Sequence, residues 1–187
     1  MTIEKVTTAD AAELLEIYIH YVETTAVTFD YDNPTVEEFA RKIKKIIDKY
    51  PYIKAVEDGK IVGYAYANTF KDRRAYDWAV ETTIYLDKNC KRRGIGSSLY
   101  AALEKSLKDM GIINLNACIA VPKDDNDKNL SNDSYFFHKQ QGYSLIGTFH
   151  NVGNKFGKWY DMIWMEKMIG DHEANPKPVK FGDWFLL

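Results

Sequence analysis

The sequence has little of several things that would each have named a class of protein. Its 187 residues include only 2 Cys, Cys90 and Cys118, too few for a disulfide framework and without the paired spacing of a structural metal site. Such sparing use of thiols suits a reducing cytoplasm, the expected compartment. Positive charge is not in excess either: 25 Lys and Arg stand against 27 Asp and Glu, a formal net charge of −2. Neither a nucleic-acid backbone nor an anionic membrane therefore finds a general electrostatic partner here. No apolar run reaches the length of about eighteen residues that crosses a bilayer, and Met1-Thr2-Ile3-Glu4-Lys5 lacks the pattern of an export leader. Repeats and low-complexity tracts are missing too. No metal, nucleic-acid or membrane partner is expected, and any ligand must be sought in a local site.

What is present is an ordinary globular composition, 45% hydrophobic and 28% charged, enriched in aromatic residues with 13 Tyr and 9 Phe. The length fits one domain with a substantial core. Leu14, Leu15, Ile17, Tyr18 and Tyr21 recur at helical spacing over 10–24, after a short strand at 2–6. Asn33-Pro34 breaks the chain, and Thr35-Val36-Glu37-Glu38 has the S/T-x-x-E spacing that satisfies orphan amides at a helix start. This second helix runs to about Asp48. Strand-like runs at 52–57 and 61–69 flank Asp58-Gly59, a dipeptide suited to a tight hairpin turn. A β-rich run at 79–86 is followed by a helix over 96–110 ending at Gly111. A strand at 114–121, a polar loop at 123–129, a helix at 131–141 and a closing hairpin of 143–152 with 159–167 complete the pattern.

The order β-α-α-β-β-β-α-β-α-β-β predicts an α+β fold, a mixed and mostly antiparallel sheet flanked by helices, with two strand-helix-strand crossovers running parallel. One domain is expected over 1–169. From Gly170 periodicity is lost, which predicts a tail, 170–187, lying on the domain or on a partner subunit.

Lys91-Arg92-Arg93-Gly94-Ile95-Gly96 stands between the strand at 79–86 and the helix that follows. Its glycines allow close backbone approach, and free amides with the helix dipole favour an anion. A P-loop is excluded by spacing, and the dinucleotide fingerprint by the lack of a third Gly. Its place between Leu86 and Leu99 favours a pyrophosphate cradle, with a turn carrying a solvated basic run as the other reading.

The loop resembles the R/Q-x-x-G-x-G/A signature of GCN5-related N-acetyltransferases (GNAT). Tyr76-Asp77-Trp78-Ala79-Val80-Glu81-Thr82-Thr83-Ile84-Tyr85-Leu86 is similar to the corresponding stretch of the phosphinothricin acetyltransferase-like subfamily. Further likeness lies in Ile17-Tyr18-Ile19-His20-Tyr21-Val22, Tyr64-Ala65-Tyr66-Ala67, Phe137-His138 before Gly142-Tyr143, and Gly157-Lys158-Trp159-Tyr160-Asp161. The resemblance spans nearly the whole chain, with Lys91 where Gln or Arg is usual. It implies acetyl-CoA as cosubstrate and no metal. Backbone groups of Ile84, Tyr85 and Leu86 are then expected on the pantetheine arm. Arg92, Arg93, Gly94, Ile95, Gly96 and Ser97 are expected around the pyrophosphate, with Ser131 or Asn132 as a further contact. The run from Glu81 to Leu86 spans roughly 17 Å of extended strand, comparable to that arm.

Glu81 is the expected catalytic residue, because a carboxylate among strand-forming neighbours is an unusual choice. An amine arrives as an ammonium and must lose a proton before its nitrogen attacks a thioester. Apolar surroundings raise a carboxylate from its usual pKa of about 4.3 toward a useful value. By resemblance His138 occupies the place where many GNAT enzymes carry a tyrosine that serves the departing thiolate; a packed, structural histidine is the other reading. Phe29, Tyr31, Arg73, Tyr76 and Trp78 are candidates for the acceptor pocket, an arginine fork suiting the carboxylate of an amino-acid-like amine. The competing readings are acetylation of protein or peptide amines and a non-catalytic acyl-CoA-binding module. A homodimer is expected from the aromatic hairpin over 156–164 and the apolar end Trp184-Phe185-Leu186-Leu187.

Overall fold

A computed structural model describes residues 1–90 and 92–184. Lys91 of the expected cradle and Phe185, Leu186 and Leu187 of the expected apolar end lie outside the described residues. The elements follow the expected order: β1 (Thr2–Lys5), α1 (Ala11–Thr24), α2 (Val36–Ile47), β2 (Tyr52–Glu57), β3 (Lys60–Thr69), β4 (Ala79–Leu86), α3 (Ile95–Met110), β5 (Asn114–Val121), α4 (Asp133–Gln140), β6 (Ser144–Lys155) and β7 (Lys158–Met168).

Local chemistry accounts for most of these boundaries. At the start of α2 the Glu38 amide donates to Thr35 Oγ1 and the Thr35 amide donates to Glu38 Oε2, closing the capping box that the spacing predicts. The β2–β3 turn places Asp58 and Gly59 at φ 51° and 76°, and the β6–β7 turn places Phe156 and Gly157 at φ 51° and 71°, the left-handed pairs that match the twist of a two-residue hairpin. The closing hairpin is longer than its apolar pattern suggests. β6 continues past Val152 to Lys155, with a register shift between Phe149 and Gly153 that absorbs the extra residues around Asn151, itself at φ 53°.

The seven strands form one sheet in the order β1-β2-β3-β4-β5-β7-β6. All neighbours are antiparallel except β4 and β5. The second expected crossover, from β5 through α4 to β6, does run parallel in direction, but β7 is inserted between the two strands and they do not pair. The crossover at β4–α3–β5 positions the site. There only Ala79↔Asn114, Val80↔Leu115 and Glu81↔Asn116 are in register, although β4 continues to Leu86 and β5 to Val121. Beyond Glu81 the strands part and leave a notch at their carboxyl ends, the place where open sheets with parallel strands receive ligands.

The main core packs α1, α2 and α3 onto the sheet around Leu14, Ile43, Ile53, Val80, Leu99 and Leu107. A separate small cluster joins Ala26, Ala120, Leu130 and Tyr160, with Phe29 against it. The described part of the tail crosses its own domain: the Trp78 indole N–H donates to Lys177 O, the Lys180 amide to Met110 O and the Gly182 amide to Lys49 O. Trp184, expected to add exposed apolar surface, is instead only 7% exposed, with the Lys5 ammonium 4.4 Å above its ring. A cation and a main-chain partner near Ile47 hold it against its own domain.

Candidate active site

Two cavities lie at the β4–β5 pair, one on each face of the sheet. On the α3 side lies a cavity of about 660 Å³ lined by Ile84 and Leu86 of β4, by Arg92 through Ser97, by Ser131, Ser134, Phe136 and Phe137 around α4, and by Tyr21 and Val27. Helix α3 points its start into this cavity. Its first internal bond is from the Ser98 amide to Gly94 O, so the amides of Ile95, Gly96 and Ser97 precede any helical acceptor and are free for an anion. The two glycines serve different ends. Gly94 caps the helix at φ 78°, a left-handed turn in which a side chain is strained. At Gly96 a Cβ would stand 2.9 Å from the Phe137 ring and 3.5 Å from Ile84, so this glycine lets α4 close over the helix start.

Strand alternation decides which backbone groups face the notch. The Asp87 amide bonds Val62 O in β3, whereas Leu86 donates to and accepts from the Tyr21 hydroxyl, its carbonyl 2.7 Å from Tyr21 Oη. Even-numbered residues of β4 therefore turn their N–H and C=O groups away from β3. Ile84 offers free groups to the notch, and Leu86 shares its own with Tyr21. Tyr85 does not join them: its main chain pairs with Tyr64, and its ring packs against Tyr18 and Tyr21 on the opposite face. Ser131 lines the cavity and Asn132 does not; the Asn132 amide reaches Asp125 at 3.1 Å. The Arg93 guanidinium is held bidentately by Glu57 at 2.8 and 3.0 Å, while Arg92 stays exposed with Asp133 at 3.8 Å. Arg92 is thus the freer cation at the cavity.

Glu81 sits at the last paired rung, between Asn68 of β3 and Asn116 of β5, its side chain on the face opposite α3. Burial raises its pKa above the ordinary carboxylate value, and the Lys71 ammonium partly offsets that rise. Cys118 shares this face of β5 with Asn116; burial and the Glu81 charge push its thiol up to about 11, so it stays protonated. At the first β4–β5 rungs a second cavity of about 690 Å³ is walled by Phe70, Lys71, Tyr76, Trp78, Asn116 and Trp164, and by His172 and Glu173 of the tail. The carboxylate lines neither cavity itself; it stands at the rung where the notch begins, beside this aromatic cavity, whose wall includes its strand partner Asn116 and the neighbouring Lys71.

Beneath the notch runs a buried polar chain. Thr82 Oγ1 lies 3.0 Å from the Tyr143 hydroxyl and donates to Asn116 O at 3.2 Å. The Tyr100 hydroxyl is 3.5 Å from Thr82 and 2.9 Å from His138 Nε2. His138 Nδ1 lies 2.7 Å from Ser134 O; a carbonyl only accepts, so Nδ1 carries the proton and Nε2 accepts from Tyr100. Burial pushes this imidazole down to about 4, partly offset by the Ser134 carbonyl. His138 is thus a neutral, doubly bonded ring under the notch rather than a wall of either cavity.

The five acceptor candidates are not gathered in one place. Tyr76 and Trp78 line the second cavity. Phe29 and Tyr31 sit on the α1–α2 loop against the β6–β7 hairpin, where Phe29 packs near Tyr160 at 6.3 Å and the Tyr31 hydroxyl donates to Asn154 O at 2.5 Å. Arg73 is exposed in the turn after β3 and lines neither cavity. Lys71, Asn116 and Tyr21 are the neighbours that sequence reasoning missed. Tyr21 stands in a stretch whose resemblance was visible, but the other two acquire meaning only once β4 and β5 are brought side by side.

The family model described as "Acetyltransferase (GNAT) domain" matches residues 3–164. A phosphinothricin N-acetyltransferase of Streptomyces viridochromogenes is 35% identical over 95% of this chain and 92% of its own length. An L-methionine sulfoximine/L-methionine sulfone acetyltransferase of Salmonella typhimurium is 29% identical over 93% of this chain and 98% of its own. Among solved structures, a GNAT superfamily phosphinothricin acetyltransferase of Sinorhizobium meliloti in complex with AcCoA superposes with a TM-score of 0.84, at 30% identity over 96% of this chain and 93% of that one. A parallel pair that splays at a carboxylate, a glycine-capped helix aimed into the opening and these likenesses agree: the chain belongs to the GNAT superfamily and is an N-acetyltransferase of its phosphinothricin acetyltransferase-like branch.

Proposed function

We propose that the protein acetylates the primary amine of a small amino-acid-like molecule, with acetyl-CoA as donor and Glu81 as general base. The single observation that carries this is the place of Glu81: half-buried, raised in pKa, and located at the rung where β4 and β5 part. The named relatives that act on phosphinothricin and methionine sulfoximine support the acceptor class.

The α3-side cavity fits acetyl-CoA by its own chemistry. Free amides of Ile95, Gly96 and Ser97 with the Arg92 cation suit a pyrophosphate. The apolar side chains of Ile84 and Leu86, and the free strand edge at Ile84, suit an extended amide-bearing arm. When bound, acetyl-CoA supplies an activated acyl thioester. Glu81 takes the proton from the arriving ammonium, directly or through a water, and leaves a neutral nitrogen able to attack. Burial raises its pKa toward the operating pH, and the Lys71 ammonium works the other way, favouring the ionised form. His138 serves as a positioning residue, holding Tyr100, and through it Thr82, beneath the notch. We assign Trp78 and Tyr76 to the aromatic wall for the acceptor on the Glu81 face, and Phe29 and Tyr31, which line neither cavity, to a flanking part of that wall carried by the α1–α2 loop.

The remaining proposals concern organisation. Residues 1–169 form the catalytic domain, and the described part of the tail, 170–184, a strap over it. The thiols of Cys90 and Cys118 are free, in keeping with a reducing cytoplasm, and among the described residues no helix is long and apolar enough to cross a membrane. Edge strand β6 exposes Leu145, Ile146, Phe149 and Val152, and Phe156 and Trp159 follow at the hairpin. That much apolar surface on an open sheet edge supports a homodimer, and light scattering at micromolar concentration should return twice the chain mass.

Thiol release from acetyl-CoA across a panel of amino acids, their phosphinate and sulfoximine analogues, simple amines and a short peptide tests the reaction. Turnover confined to the amino-acid-like members supports it. Turnover on the peptide alone, or tight CoA binding without turnover on any amine, would overturn it.

A further inference from the structure

Lys155 is a lysine in an unusual position. It closes β6, one residue before the Phe156-Gly157 turn, yet it is only 3% exposed. Its ammonium donates to Thr25 O at 2.9 Å and to Thr28 O at 2.8 Å. Burial lowers its pKa and the nearby Asp30 carboxylate works the other way. A lysine taken out of water is costly unless its donors are satisfied, and here both acceptors are main-chain carbonyls of the irregular segment between α1 and α2. An apolar side chain could fill the space without that cost. What the ammonium adds is a fixed direction for two carbonyls of that segment.

The residues just before it engage the same segment. At Gly153 a Cβ would stand 2.2 Å from the Phe29 ring, so the glycine is a seat for that ring. Asn154 O accepts from the Tyr31 hydroxyl. Tyr160, paired with Gly153 across the hairpin, also packs against Phe29, their ring centroids 6.3 Å apart. Ring, hydroxyl and backbone of the α1–α2 loop are thus each held by successive positions of one strand end. The loop matters because Val27 lines the α3-side cavity, while Phe29 packs against the cluster that contains Ala120, which lies on the face of β5 that also carries Asn116, the partner of Glu81.

We propose that Gly153, Asn154 and Lys155 form a positioning clamp that sets the height of the α1–α2 loop over the notch and thereby governs binding of the amine acceptor. This rests on the reading of Phe29 as part of the acceptor wall. Lys155 touches no reacting atom; it acts through the Thr25 and Thr28 carbonyls, and Gly153 acts through the Phe29 ring.

The test compares Lys155→Met, Gly153→Ala and Phe29→Ala on whichever amine the wild-type enzyme acetylates, with KM for each substrate, kcat, and hydrogen exchange of residues 25–31. Lys155→Met should raise the acceptor KM about tenfold while the acetyl-CoA KM and kcat stay within about threefold. Exchange over 25–31 should quicken about tenfold and that of α3 should not change. Gly153→Ala should reproduce the same split without touching the lysine, and it alone decides if Lys155→Met does not fold. Both KM values rising together, or the acceptor KM and loop exchange unchanged in Gly153→Ala, would overturn the clamp. A raised acceptor KM in Phe29→Ala with both clamp variants silent sinks the clamp alone. An unchanged acceptor KM in Phe29→Ala removes the loop from the acceptor wall and takes the clamp with it.

Discussion

The two sides of the notch are built in different ways. Half of the α3-side lining comes from one stretch of chain, from Ile84 to Ser97, in which a strand, a glycine turn and a helix start follow one another, and most of the rest from the α4 segment. The Glu81 side is assembled from pieces far apart in sequence: the turn after β3, the face of β5, strands β6 and β7 and the tail. A site made of contiguous backbone recognises what never varies, a pyrophosphate and an amide-bearing arm. A site made of side chains from many segments can be altered one segment at a time, which suits an acceptor that differs between relatives. Damage should therefore sort cleanly, with changes on the α3 side affecting the donor and changes on the other side affecting the acceptor or the chemistry.

The largest effect is expected at the point where the two sides meet. Glu81→Gln should lower turnover by about 10² to 10⁴ while the acetyl-CoA dissociation constant, read by calorimetry, stays within about twofold. An equal loss in both would erase the distinction between the sides. Next comes His138, whose effect is on stability. The unfolded chain takes up this proton near 6.5, whereas the folded chain resists until about 4. Between those values the unfolded state binds more protons, so stability is present above 6.5 and falls as pH drops toward 4, by up to about 3 kcal/mol. Denaturant midpoints of wild type and His138→Gln should converge on acidification.

Gly94→Ala forces a side chain into φ 78°, a strain of about 1–2 kcal/mol. It should weaken acetyl-CoA binding up to about tenfold and leave the acceptor KM alone. The smallest effect is a shift in profile: Lys71→Met removes the cation that offsets the rise in Glu81, so the acid limb of kcat/KM should move to higher pH. A limb that moves down, or does not move, would separate Lys71 from Glu81.

The same difference explains what the sequence made legible. Asp58-Gly59, the Thr35 to Glu38 box and the 91–96 loop are short-range devices, so their turn, cap and helix start can be read from neighbouring residues. Glu81 was visible because a carboxylate in a strand is locally anomalous. Long-range facts were not visible. That β7 inserts beside β5, that Asn116 stands opposite Glu81, and that Phe29 seats on Gly153 all depend on pairings between distant segments. Tyr85 is instructive: resemblance groups it with Ile84 and Leu86, yet strand alternation turns its main chain to β3 and its ring to α1. Trp184 likewise looked like interface surface until the tail was followed back across its own domain.

The central claim is that the carboxylate at the splay point draws the proton from the amine. It is tested most directly by the pH dependence of kcat/KM for the acceptor in wild type and Glu81→Gln, measured by thiol release at saturating acetyl-CoA. The wild-type acid limb should be set by a group above the ordinary carboxylate range, and should disappear together with most of the rate in the variant. A variant that keeps both the rate and the limb would contradict it.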